Sequence, residues 1–162
     1  MEDRAVTDAA LSPRNLALHF ACGFLAVLLF HQAAIFLLNI SGIIPNGPYQ
    51  TRPIPPFGVP AFLNQAFWGG VWGIVYALVR SRIPAALPVA LAGFLFGIVG
   101  PTFFGWFVLA PLRGQPVAGG FQLSNMLRGI FINGSYGLGL ALIAHAARSF
   151  VTRPEPPPLP DA

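Results

Sequence analysis

Between Ala9 and Pro154 the chain contains no carboxylate, and the same stretch holds four long apolar blocks. Its five acids, Glu2, Asp3, Asp8, Glu155 and Asp161, all sit in the terminal tails. A water-soluble domain is about 25% charged, whereas this 162-residue chain is 9% charged and 55% hydrophobic. That pattern excludes a soluble enzyme domain, a nucleic-acid binder and a disordered chain. It predicts a small polytopic membrane protein. Paired-carboxylate hydrolysis, carboxylate proton relays and Mg²⁺ or Ca²⁺ sites all need acidic oxygens, which the apolar region does not supply.

A bilayer core about 30 Å thick takes about 20 apolar residues per helix. Four stretches meet that need, at 16–40, 61–79, 84–109 and 129–147. Ser12-Pro13 reads as an N-cap followed by a proline at the first helical position. The apolar region of a signal peptide has only about 7–15 residues, so the first block is expected to stay as a span. The predicted fold is an all-α, four-transmembrane-helix bundle over residues 14–150. Residues 1–13 form an N-terminal segment, and residues 151–162 a disordered proline-rich tail.

Orientation follows from the arginines beside the spans. Arg4, Arg14, Arg80, Arg82, Arg148 and Arg153 fall on one side, and Arg52, Arg113 and Arg128 on the other. Both termini are therefore expected in the cytoplasm. The connection 41–60 carries Pro45, Pro48, Pro53, Pro55, Pro56 and Pro60 and is expected to be an extended, partly polyproline-like outer loop. Residues 80–83 make a tight cytoplasmic turn. The net charge of +4 comes from arginine alone. Because the arginines are scattered beside apolar blocks, they suit membrane lipids as partners better than nucleic acid. The tail 152–162 is a solvated segment or a ligand for a polyproline-binding partner. Arginine without lysine, with 18 Gly and 17 Pro, is what a GC-rich bacterial genome encodes.

Lipid gives helices little hydrophobic reason to associate, so small residues that admit close backbone approach should mark the packing faces. Span two offers Ala66, Gly69 and Gly73; span three Ala86, Ala90, Gly93, Gly97 and Gly100; span four Gly134, Gly137, Ala141 and Ala144. Span one shows no glycine seam, and its matching face reads Ala17, Ala21, Phe24, Leu28 and His31. Pro101 is expected to kink span three.

At 1.5 Å per residue, the uncharged polar side chains gather in the outer half of the spans. His31, Gln32, Asn64, Gln65, Trp68, Arg128 and Asn133 form either an outward-facing polar pocket or interfacial decoration of the aromatic-belt kind. His31 is the leading residue, with Asn64 or Asn133 expected within hydrogen-bonding reach. Near the opposite end, His19 and His145 share a depth at which two histidines can hold a b-type haem; two interfacial histidines are the alternative. Cys22 is the only cysteine, which excludes an intrachain disulfide or a thiolate cluster and leaves it as a small buried hydrophobe. No Walker loop, GxSxG, HExxH or CxxCH motif occurs. No catalytic residue, metal or cofactor is therefore expected.

His31-Gln32, the loop Arg52-Pro-Ile-Pro-Pro-Phe-Gly-Val-Pro60 and the sequel Ala66-Phe-Trp-Gly-Gly-Val-Trp-Gly73 resemble a group of small multipass inner-membrane proteins of bacteria. The resemblance covers residues 15–148. It implies topology and a bacterial inner-membrane location, and it supplies no catalytic residue. Three functional readings stay open. The first is a non-enzymatic structural or accessory component, self-associating or part of a larger complex. The second is a small transport or permeation protein entered through the polar pocket, and the third a b-haem protein.

Overall fold

The computed structural model describes residues 12–151. Over these residues the chain forms four helices long and apolar enough to cross a membrane: α1 (Pro13–Ile40), α2 (Ala61–Arg82), α3 (Val89–Leu112) and α4 (Leu123–Val151). The fold is all-α apart from a two-stranded antiparallel ladder, β1 (Pro53–Ile54) with β2 (Val59–Pro60). The N-terminal segment up to residue 11 and the tail from residue 152 lie outside the described residues.

Local chemistry explains most helix ends. Ser12 caps α1, its Oγ accepting from the Asn15 N–H at 3.3 Å, and Pro13 opens the helix where a missing N–H is harmless. Pro60 and Pro88 precede α2 and α3 in extended conformation. Span three begins at Val89, not residue 84, because residues 84–87 form a turn closed by Leu87 N–H to Pro84 O at 3.1 Å. Ala86, expected on a seam, is exposed there. Span four begins at Leu123, six residues earlier than residue 129, after a left-handed stretch in which Ala118, Gly119, Gly120 and Phe121 all take positive φ. Two glycines carry that conformation without steric penalty, and Asn125 Nδ2 ties it to the helix by donating to Gly119 O at 3.1 Å.

Two helices contain wide, i→i+5 turns. In α1 this is Val27–His31, and in α3 it is Ile98–Thr102 and Gly105–Leu109. At Pro101 the cause is plain. Proline has no N–H for the Gly97 carbonyl, and the Thr102 hydroxyl donates to that oxygen instead, at 2.9 Å. In α1 the wide turn carries an extra residue, so faces read at 3.6 residues per turn slip by about 100° across it. Ala17 and Ala21 are accordingly exposed, and the buried face of α1 is His19, Cys22, Gly23, Ala26 and Val27, then Gln32 and Ala34.

The helices pair as two hairpins. In the first, Gly23 of α1 lies against Gly69 and Gly73 of α2, so closely that a Cβ on Gly23 would overlap the Gly69 carbonyl. Span one thus does contribute a glycine, which a single residue among bulky neighbours concealed. In the second hairpin, Gly93 and Gly97 of α3 lie against Asn133, Gly134, Gly137 and Ala141 of α4 with backbone on backbone. Gly100 does a different job, giving room to the Trp72 ring. The hairpins join along α1 and α4, where Phe30 covers Gly139 and the core collects Cys22, Ala26, Val27, Ala66, Tyr76, Tyr136, Leu140, Ala141 and Ala144. Tyr136 crosses from α4 to α2, its hydroxyl donating to Gly69 O at 2.7 Å.

The 41–60 loop is folded back rather than extended. Gln32, 1% exposed, holds it from within the bundle, accepting from Tyr49 N–H at 2.8 Å and donating to Gln65 Oε1 at 3.0 Å. The Tyr49 hydroxyl reaches Leu28 O at 2.7 Å, and Asn39 Nδ2 donates to Ile44 O and Pro45 O. The β ladder pairs Pro53 with Pro60, and the peptide Pro55–Pro56 is cis.

Candidate functional site

Helices α2 and α3 face each other without close backbone contact; aromatic rings bridge the gap. Trp72 meets Phe96 at 6.1 Å and Phe104 at 5.7 Å between ring centroids, and Tyr76 meets Phe96 at 5.0 Å, all edge to face. Such pairs contribute about 0.5–1.5 kcal/mol each beyond area burial, enough to hold the gap closed at mid-length. They do not fill it at either end.

Towards the 41–60 loop the gap opens into a cavity of about 400 Å³. His31, Asn64, Gln65, Trp68 and Asn133 line it, together with Trp72, Pro101 and Phe104. Gln32 and Arg128 do not. Gln32 is turned to the loop, as above, and Arg128 Nη1 reaches Asn125 Oδ1 at 3.5 Å while its Nε is buried without a partner. The cation at this cavity is instead Arg113, on the connection after α3. Tyr136 also lines the cavity from α4. The signal for Tyr136 was available in sequence, because a tyrosine in mid-span needs a partner for its hydroxyl. Arg113 gave none, because the path of a loop is set by the helices it joins.

His31 lines this cavity with Nδ1 buried and without a hydrogen-bond partner. The bond expected to Asn64 or Asn133 is not made, although all three residues line the one space. An unsatisfied buried polar atom costs about 1–3 kcal/mol. In most proteins such atoms find partners; here His31 Nδ1 has none.

At the opposite end a second cavity, of about 420 Å³, lies between the end of α2, the following turn, the start of α3 and the end of α4. Tyr76, Arg80, Ser81 and His145 are its polar lining, with Ile83, Leu87, Val89 and Ala92 among the apolar wall. Tyr76 and Trp72 stand one turn apart on α2, and Phe96 touches both rings, so the same aromatic group divides the two cavities.

His19 is not free to ligate a haem together with His145. His19 is fully buried; its Nδ1 donates to Asn15 O at 2.8 Å, which leaves Nε2 as the acceptor for Arg148 Nη2 at 3.3 Å. Both nitrogens are therefore engaged. No group of three or more His, Cys, Asp or Glu side chains suited to a metal occurs among the described residues.

The four helices, each long and apolar enough to cross a membrane, make this a multi-pass type of membrane protein. Comparison with protein-family models, with curated proteins and with solved structures gave no match.

Proposed function

We propose that the chain is a small-solute binding and permeation protein of the bacterial inner membrane, with both termini cytoplasmic. The observation that carries this reading is the pair of cavities set end to end between α2 and α3, with one aromatic group between them and the unpartnered His31 Nδ1 in the first. Ionisable residues kept inside spans are costly and by default mark a functional site. The six-to-three arginine split supports the orientation, which puts the His31 cavity on the periplasmic side. The glycine seams that favoured an accessory component are spent inside the chain, in the α1–α2 and α3–α4 pairs. They leave less small-residue surface for a second copy or a larger complex. Membrane lipids remain partners of the outer faces.

The test is swelling of proteoliposomes under inward gradients of glycerol, urea or glycine, followed by light scattering. Vesicles with the protein should swell faster than empty ones for at least one solute, and Asn133→Leu should remove the difference while the protein melts at an unchanged temperature. Swelling equal to that of empty vesicles for all three solutes refutes the reading. Because His31 bonds no protein atom, His31→Phe should also lower the rate with folded yield retained. A fall in yield without a change in rate per folded molecule would assign His31 a structural role.

A further inference from the structure

We infer that the cavity at the 80–88 turn is a binding site for a phosphoryl group, with Arg80 as the residue that recognises it. This goes beyond the permeation reading and does not depend on it. Arg80 lines the cavity, and its Nη1 is buried without a hydrogen-bond partner. An arginine N–H held away from water is stable only when it is bonded, and a guanidinium is best bonded by an oxyanion that accepts two of its N–H groups in parallel. Among the described residues no carboxylate supplies such an acceptor, because residues 12–151 contain no Asp or Glu. The neighbouring arginine of the turn is already occupied: Arg82 Nη1 donates to Leu78 O at 3.2 Å, and Arg82 does not line the cavity.

The rest of the lining suits an anion with an apolar appendage. Ser81 and Tyr76 bring hydroxyls that donate to phosphate oxygens, and His145 adds a third polar group. Ile83, Leu87, Val89 and Ala92 make the opposite wall apolar. A cavity of about 420 Å³ falls in the range that takes a small ligand, more than a bare phosphate fills. A phosphodiester carrying an acylated glycerol satisfies both walls, the phosphate on the polar side and the acyl-bearing end on the apolar side. A basic pocket between helices at the membrane surface is where the headgroups of anionic lipids are taken up. Free phosphate shares the recognised group and is separated from lipid by experiment.

The experiment is native mass spectrometry of the full chain released from detergent, titrated with phosphatidylglycerol, with phosphatidylcholine, or with inorganic phosphate. One phosphatidylglycerol or one phosphate per chain should bind in preference to phosphatidylcholine. Arg80→Gln should weaken that binding by about tenfold or more, the scale of a lost charge-assisted hydrogen bond. Arg80→Lys, which keeps the charge and loses the fork, should fall between, and Arg82→Gln should bind as wild type. Leu87→Trp narrows the cavity without touching a charge and should weaken binding too, so the test does not depend on the folding of Arg80→Gln. Arg80-dependent binding of lipid identifies a headgroup site, and Arg80-dependent binding of phosphate alone identifies a free-anion site; both support the proposal. Binding of either lipid or of phosphate that is equal in wild type, Arg80→Gln and Leu87→Trp, or no binding of any of the three, overturns it.

Discussion

Gly97→Ala adds one methyl group at the tightest point of the α3–α4 pair. The new Cβ would lie 2.8 Å from the Asn133 carbonyl carbon and 3.1 Å from Gly134 Cα, with the Asn133 oxygen nearer still. Ordinary contact begins at 3.4 Å, and every one of these atoms is backbone, so no side chain can swing away; the helices must part by at least roughly 0.6 Å. A radial gap of that size forfeits about a quarter to a half of each dispersion contact along the seam, and overpacking of this kind costs about 1–3 kcal/mol. Alanine also favours a helix over glycine by about 1 kcal/mol, which masks part of the loss. Gly105→Ala, on the same helix, cancels that term, because a Cβ there meets nothing within 4 Å. The difference between the two variants therefore isolates packing, at about 1–3 kcal/mol, or roughly 2–12 °C in melting temperature. Cys22, 3% exposed and the single cysteine, provides the readout: a thiol-reactive fluorophore lights up as the bundle opens on heating. Gly97→Leu should do worse still, and Leu95→Ala, at an exposed position, should do little. Equal melting of Gly97→Ala and Gly105→Ala would refute a backbone-packed α3–α4 pair.

Tyr136→Phe removes the hydroxyl that reaches Gly69 O while keeping the ring, and should cost about 0.5–1.5 kcal/mol in the same melting assay; no change would mean that the bond is idle. Gln32→Leu strands the Tyr49 N–H and the Gln65 side chain and should speed hydrogen exchange and proteolysis within residues 41–60 more than it lowers global stability; unchanged loop protection counts against Gln32 as the anchor. In a Cys22→Ser background, an impermeant maleimide added outside spheroplasts should label a cysteine at position 50 and not one at position 81; the reverse labelling inverts the orientation.

The number of spans and the glycines that zip them were legible in sequence because lipid imposes strict terms: about 20 apolar residues per crossing, every backbone bond internal, and small residues where backbones meet. Gly69, Gly73, Gly93, Gly97, Gly134 and Gly137 lie buried where helices meet. The depth of His31, Asn64, Gln65, Trp68 and Asn133 was legible for the same reason, since depth is residue count times helical rise. Facing was not. The wide turn at Val27–His31 rotates one half of α1 against the other, so the face read through Ala17 and Ala21 points outward and Gly23 takes their place. Nor did the sequence disclose which spans pair, because a small-residue stripe fits any other stripe equally well. Only the folded chain puts α1 on α2 and α3 on α4, leaves α2 and α3 apart, and so creates the two cavities and brings Arg113 and Arg80 to them. Local chemistry and bilayer thickness act residue by residue and are written in the sequence, whereas a gap between helices belongs to no residue and exists only once all four have packed.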